Sequence, residues 1–96
     1  MRTSFTPDEV CQITAKDLAT LRAEFSSHPD KSWVDRMAGI IRDLNALASE
    51  ADRDPAAVTA LEQRVSAFLA EDKRNKGMTP YLYMVRSLRP SGTSDI

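Results

Sequence analysis

The side chains able to act as nucleophile, general base or metal ligand are His28, Cys11 and a carboxylate cluster at Glu50, Asp52 and Asp54. Acid–base or nucleophilic catalysis needs a reactive group held beside a second group that shifts its acidity. His28 is the only histidine and lies in the polar run SSHPDKS, where a solvated loop residue is expected. Cys11 is the only cysteine and has no histidine near it in sequence, so it reads as a semi-buried structural thiol. The carboxylate cluster lacks the glycine turn and ligand spacing of a calcium loop. No glycine-rich phosphate loop, nucleophile elbow or paired-cysteine zinc motif is present. The chain therefore reads as a non-enzyme, with no catalytic residue, no metal site and no cofactor.

Binding chemistry is better represented. The stretch KGMTPYLYMVRSL, from Lys76 to Leu88, holds both tyrosines and two of the four methionines. With Pro80 in the first turn of a helix, Tyr81, Met84, Val85 and Leu88 fall on one face. Tyr83 falls on the opposite side with Arg86 and Ser87. Tyr81 is then expected to point into the bundle, and Tyr83 to be at least partly exposed. Met84 and Tyr81 could be plain core, or could wall an apolar cavity with Trp33, Met37 and Phe68. Aromatic and methionine side chains with a few polar tips are what small-molecule sites use.

Charge is unevenly spread. Residues 1–72 carry 8 basic and 13 acidic groups, whereas residues 73–96 carry 5 basic and 1 acidic. Such asymmetry can mark an anionic partner or simply a solvated face. Lys73, Arg74, Lys76, Arg86 and Arg89 could touch phosphates. A nucleic-acid role is nevertheless disfavoured, because the overall net charge is −1 and the would-be recognition helix is short and carries Tyr81, Leu82 and Met84.

The elements that must position these groups are helical. With 96 residues the chain has room for one domain, expected over 1–89, with a flexible polar tail over 90–96. Thr6, Pro7 and Glu9 form a capping box with proline at the first helical position, predicting a short helix to about Gln12. Thr14 is expected to open a second helix bearing Leu18, Leu21 and Phe25, ended by His28-Pro29. The third is the strongest. Trp33, Val34, Met37, Ile40, Ile41, Leu44, Leu47 and Ala48 share one face, Ser32 can cap it, and Gly39 falls on the polar side. Asp54-Pro55 opens a fourth, with Val58, Leu61, Val65, Phe68 and Leu69 inward and Glu62 elsewhere. Gly77 is a natural stop, and Thr79-Pro80 restarts the chain into a short final helix. No strand pattern is present. The expectation is an all-α bundle of four to five helices, with the two longest forming an antiparallel hairpin. No apolar run approaches a membrane span and the N-terminus has no secretory pattern, which points to the cytoplasm.

The run from Ile13 to Leu88 resembles the helical effector-binding domain at the C-terminus of some MerR-type regulators, the thiostrepton-recognition (TipAS-like) type. The resembling features are Trp33 opening a long helix that ends in Leu44, Leu47 and Ala48, then an acidic linker to Asp54-Pro55. Val58, Leu61, Arg64 and an aromatic at Phe68 follow, and then a final helix with aromatics. The resemblance implies a globin-like helical bundle whose apolar cleft captures bulky, often antibiotic-like compounds. The family's DNA-binding winged helix and dimerising coiled coil have no counterpart, so a stand-alone copy would sequester a ligand or act as a sensor. No shared motif lies at the cleft itself, so family binding positions do not transfer.

The leading expectation is thus capture of a hydrophobic or aromatic small molecule by Trp33, Met37, Phe68, Tyr81 and Met84. The competing one is a protein-interaction or adaptor module using Tyr83, Arg86, Lys73 and Arg74. Formation of a homodimer through excess apolar surface is compatible with either.

Overall fold

Of the helix starts read from the sequence, the computed structural model realises the caps at Thr6 and Asp54 and the proline in the first turn of the last helix. Among the described residues four α-helices are joined by short connections: α1 (Pro7–Glu24), α2 (Lys31–Ser49), α3 (Pro55–Glu71) and α4 (Thr79–Ser87), with a 3-10 helix (Lys73–Met78) leading into the last. The structure describes residues 3–89, and the expected tail over 90–96 lies outside the described residues. Among the described residues there is no strand, and no helix is long and apolar enough to cross a membrane. The architecture is an all-α bundle.

The capping box at Thr6 forms: its hydroxyl accepts from the Glu9 N–H at 3.2 Å, and the Glu9 carboxylate accepts from the Thr6 N–H at 3.0 Å. The predicted break before Thr14 does not occur, and α1 is continuous. Thr14 is fully buried, and its hydroxyl donates to the Val10 carbonyl at 2.6 Å. The Thr14 hydroxyl oxygen in turn accepts from the side-chain amide of Asn45 on α2 at 2.9 Å. A threonine that bonds back four residues sits inside a helix rather than capping a new one.

The second helix is capped by Asp30 rather than Ser32. Asp30 Oδ1 accepts the Trp33 N–H at 3.0 Å, which places Trp33 in the first turn. At the other end Arg53 gathers orphaned carbonyls, donating to Glu50 at 2.7 Å and Ala48 at 3.1 Å. A cation at a helix C-terminus also meets the negative end of the helix dipole. Asp54 caps α3 through the Ala56 N–H at 3.0 Å.

Two ion pairs fix how α2 and α3 run. Arg36 pairs with Glu71 near one end, and Asp43 with Arg64 at 2.5 Å further along, so residue numbers rise on one helix as they fall on the other. The hairpin is antiparallel. Helix α2 packs most extensively on α1 and also on α3, while α4 packs on α3 and the 3-10 helix. The sealed interior draws on every helix: Val10, Ile40, Leu44, Val58, Val65, Phe68 and Val85 are all essentially inaccessible. Burying each such side chain is worth about 1.5–3 kcal/mol.

Two polar-side assignments are corrected by the long arginines that cover them. Gly39 is buried, because the Arg64 guanidinium crossing from α3 lies 3.1 Å from where its Cβ would stand. Glu62 is also buried, beneath Arg86 and Arg89 of the α4 end. Gly77 stops nothing: α3 has already ended at Glu71, and among the described residues no glycine takes a positive φ.

Candidate functional site

Trp33 is held from four directions. Its indole N–H donates to Asn75 Oδ1 at 2.7 Å, and the Asn75 amide donates to the Phe68 carbonyl at 2.7 Å. Phe68 begins the last turn of α3, whose carbonyls have no partner within the helix, so Asn75 caps α3 and anchors the indole together. Phe25 meets the Trp33 ring edge-on at 6.1 Å, and His28 lies tilted against it at 5.2 Å. The Arg74 guanidinium sits over the ring at 4.4 Å. His28 is accordingly no solvated loop residue. Its Nδ1 accepts the Asp30 N–H at 3.0 Å, and its ring belongs to this aromatic group.

Tyr81, in the first turn of α4, faces α1. Its hydroxyl donates to Asp17 Oδ2 in a short hydrogen bond. Burial, that bond and the Asp17 charge, in that order, hold the phenol well above its ordinary pKa of 10.0, so it stays neutral as a donor. Asp17 recurs at helical spacing with Leu21 and Phe25, which puts a carboxylate on the apolar stripe of α1.

Between these elements lies a cleft of about 290 Å³. Trp33, Met37 and Tyr81 line it with Phe25 and Met78, and Asp17 and Arg74 supply its charges. Three of the five expected ligand residues are therefore brought together. The other two are elsewhere. Phe68 and Met84 are sealed in the core at 1% and 3% exposure and do not line this cleft. The Phe68 ring instead carries the Arg36 guanidinium at 4.9 Å.

The residues expected to meet a protein partner are distributed differently. Arg74 pairs with Asp30 at 2.9 Å and Asp72 at 3.1 Å, which makes it a wall of the cleft. The Trp33 N–H, followed by Arg74, holds the Asp30 carboxyl below its ordinary range. Arg86 pairs with Glu62 at 2.8 Å and lies 5.9 Å from the ring of Tyr83, which is half-buried. Lys73 is exposed on the 3-10 helix.

Of the carboxylate cluster, Asp54 caps a helix and Glu50 lends its carbonyl to Arg53. Among the described residues no three His, Cys, Asp or Glu side chains converge as a metal site would require. Cys11 is half-buried, with its sulfur 3.4 Å from the Ser49 hydroxyl.

Asn75 was not visible as a site residue in the sequence, since it sits in the polar run EDKRNKG, and Met78 lay in the stretch from Lys76 to Leu88 without being singled out. A signal did exist for Asp17, in its spacing with Leu21 and Phe25. Comparison of the chain with models of known protein families, with curated proteins and with solved structures finds no match.

Proposed function

We propose that the protein is a non-enzymatic binding module that captures a small aromatic or hydrophobic molecule in the cleft beside Trp33. The observation that supports this reading is the convergence of Trp33, Met37 and Tyr81, from separate parts of the chain, on one apolar recess. A largely apolar wall with a few convergent polar groups is the usual makeup of a ligand site. The volume of about 290 Å³ lies near the lower end of such sites and fits a compound of one or two rings. The resemblance to a TipAS-like effector-binding domain agrees in kind, and would make this a sequestering or sensing module in the cytoplasm. The adaptor reading has less support, because Arg86 and Arg74 already serve carboxylates of the same chain.

Gly77 provides the test. It lines the cleft, and a Cβ at its position would meet nothing within 4 Å. The variant Gly77→Phe should fill the recess without disturbing the fold. The neutral probe N-phenyl-1-naphthylamine should brighten with the wild type and stay dark with Gly77→Phe at unchanged melting temperature. Equal brightening of both proteins, or of neither, would refute the reading.

A further inference from the structure

We propose that the ligand of this cleft is an organic cation, and that the Arg74 guanidinium is a built-in occupant that such a ligand displaces. The inference rests on the ligand-binding reading and adds to it the charge of the ligand. Its basis is a seat that one cation already fills. The described lining of the cleft holds one carboxylate, Asp17, and one cation, Arg74, while Asp30 and Asp72 behind the lining hold Arg74 in place. Its guanidinium already takes the pose expected of a bound cation, above an aromatic face and between carboxylates.

Arg74 is also poorly committed to staying there. Its side chain remains 47% exposed, and the acids it meets are similarly exposed, so its ion pairs are the weak, screened kind. The side chain springs from a 3-10 helix and can swing to solvent without unwinding α2 or α3. When it leaves, the Trp33 face opens, and two carboxylates lose their counter-ion beside a partly dry wall. A planar amidinium or guanidinium on a ring would restore both contacts and place its ring among Met37, Phe25 and Met78. Asp17 adds a further anchor, since Oδ2 accepts from Tyr81 while Oδ1 has no hydrogen-bond partner among the described residues. A neutral ligand of the same shape gains none of this, and an anion would meet Asp30 and Asp72 where the guanidinium had been.

Benzamidinium and its neutral counterpart benzamide separate the possibilities, followed by calorimetry and by the NMR shift of the Trp33 indole N–H. The wild type should prefer benzamidinium about tenfold. Arg74→Gln, and Arg74→Met as a second removal of the plug, should tighten benzamidinium about tenfold more while leaving benzamide nearly unchanged. Asp17→Asn should weaken benzamidinium severalfold. Equal binding of the two probes would overturn the cation inference and leave the ligand cleft standing. Unchanged or weaker benzamidinium binding in both Arg74 variants, with circular dichroism intact, would overturn the plug. Absence of binding by either probe to any of these proteins would overturn the inference and the ligand-binding reading together.

Discussion

The indole N–H of Trp33 and the side-chain carbonyl of Asn75 meet at 2.7 Å, joining the first turn of α2 to the middle of the 3-10 helix. Asn75 is 2% exposed, and its amide is spent on the Phe68 carbonyl. One side chain thus satisfies a part-buried indole N–H and a buried carbonyl from two helices. Replacing it by alanine strands both, and an unsatisfied buried polar group costs about 1–3 kcal/mol. Asn75→Ala should therefore lose about 2–3 kcal/mol, read by urea denaturation followed at Trp33 emission. Loss of less than about 0.5 kcal/mol would mean that the bridge is not held in solution.

Much of this arrangement was legible before the structure, and what was not has identifiable causes. The caps at Thr6 and Asp54 and the apolar stripe of α2 are local patterns, so the residues themselves declare them. Thr14 was misread because a threonine can cap a helix or bond back within one, and only Asn45 from a distant segment decides. Trp33, Met37 and Tyr81 were found by helical projection. The same projection also selected Phe68 and Met84, since period alone does not distinguish a cleft wall from sealed core. Arg74 was expected at a partner surface rather than in a cleft wall, and Asn75 looked like solvated polar chain. Their place depends on the 3-10 helix folding back over the end of α3, which Asn75 brings about through the Phe68 carbonyl.

The Tyr81–Asp17 bond carries a pH dependence of definite sign. The folded protein holds the phenolic proton more tightly than the unfolded chain, whose tyrosine titrates at its ordinary value of 10.0. The stabilisation is complete below that value and is lost as pH rises above it. Tyr81→Phe removes the bond, so it should be less stable than wild type by about 1 kcal/mol near neutrality. The gap should shrink as pH rises above about 10, measured as the difference in urea midpoints. Every other ionisable side chain is common to the two proteins, so the difference isolates Tyr81. A gap that widened with pH would reverse the assignment.

Glu62 and its two arginines are unequally buried, and this makes their removal asymmetric. The Glu62 side chain is 12% exposed, whereas Arg86 and Arg89 are 47% and 43% exposed. Orphaned arginines can turn to water, but an orphaned Glu62 is left with its charge half dry. The double variant Arg86→Ala with Arg89→Ala should therefore cost about 2–3 kcal/mol, and Glu62→Leu about 1 kcal/mol or less. Chemical denaturation of both, at low and high salt, checks the order. The reverse order would show that Glu62 rehydrates freely and that α4 is held chiefly by its apolar face.

Gly39 in the middle of α2 sets a helix-propensity gain against a lost surface contact. Alanine at a helix interior is favoured over glycine by about 1 kcal/mol. The new methyl would stand 3.1 Å from the Arg64 guanidinium nitrogen, which is the far end of a flexible side chain rather than backbone. What must yield is the Arg64–Asp43 pair, and both of its side chains are nearly half exposed. Exposed pairs are worth about 0.2–1 kcal/mol, so the propensity term wins and Gly39→Ala should stabilise by about 0.5 kcal/mol. Repeating the substitution in an Asp43→Ala background, where no pair remains to lose, should raise the gain toward about 1 kcal/mol. Thermal denaturation of the four proteins closes the cycle. A destabilised Gly39→Ala in both backgrounds would mean that α2 and α3 approach too closely there for the arginine to move aside.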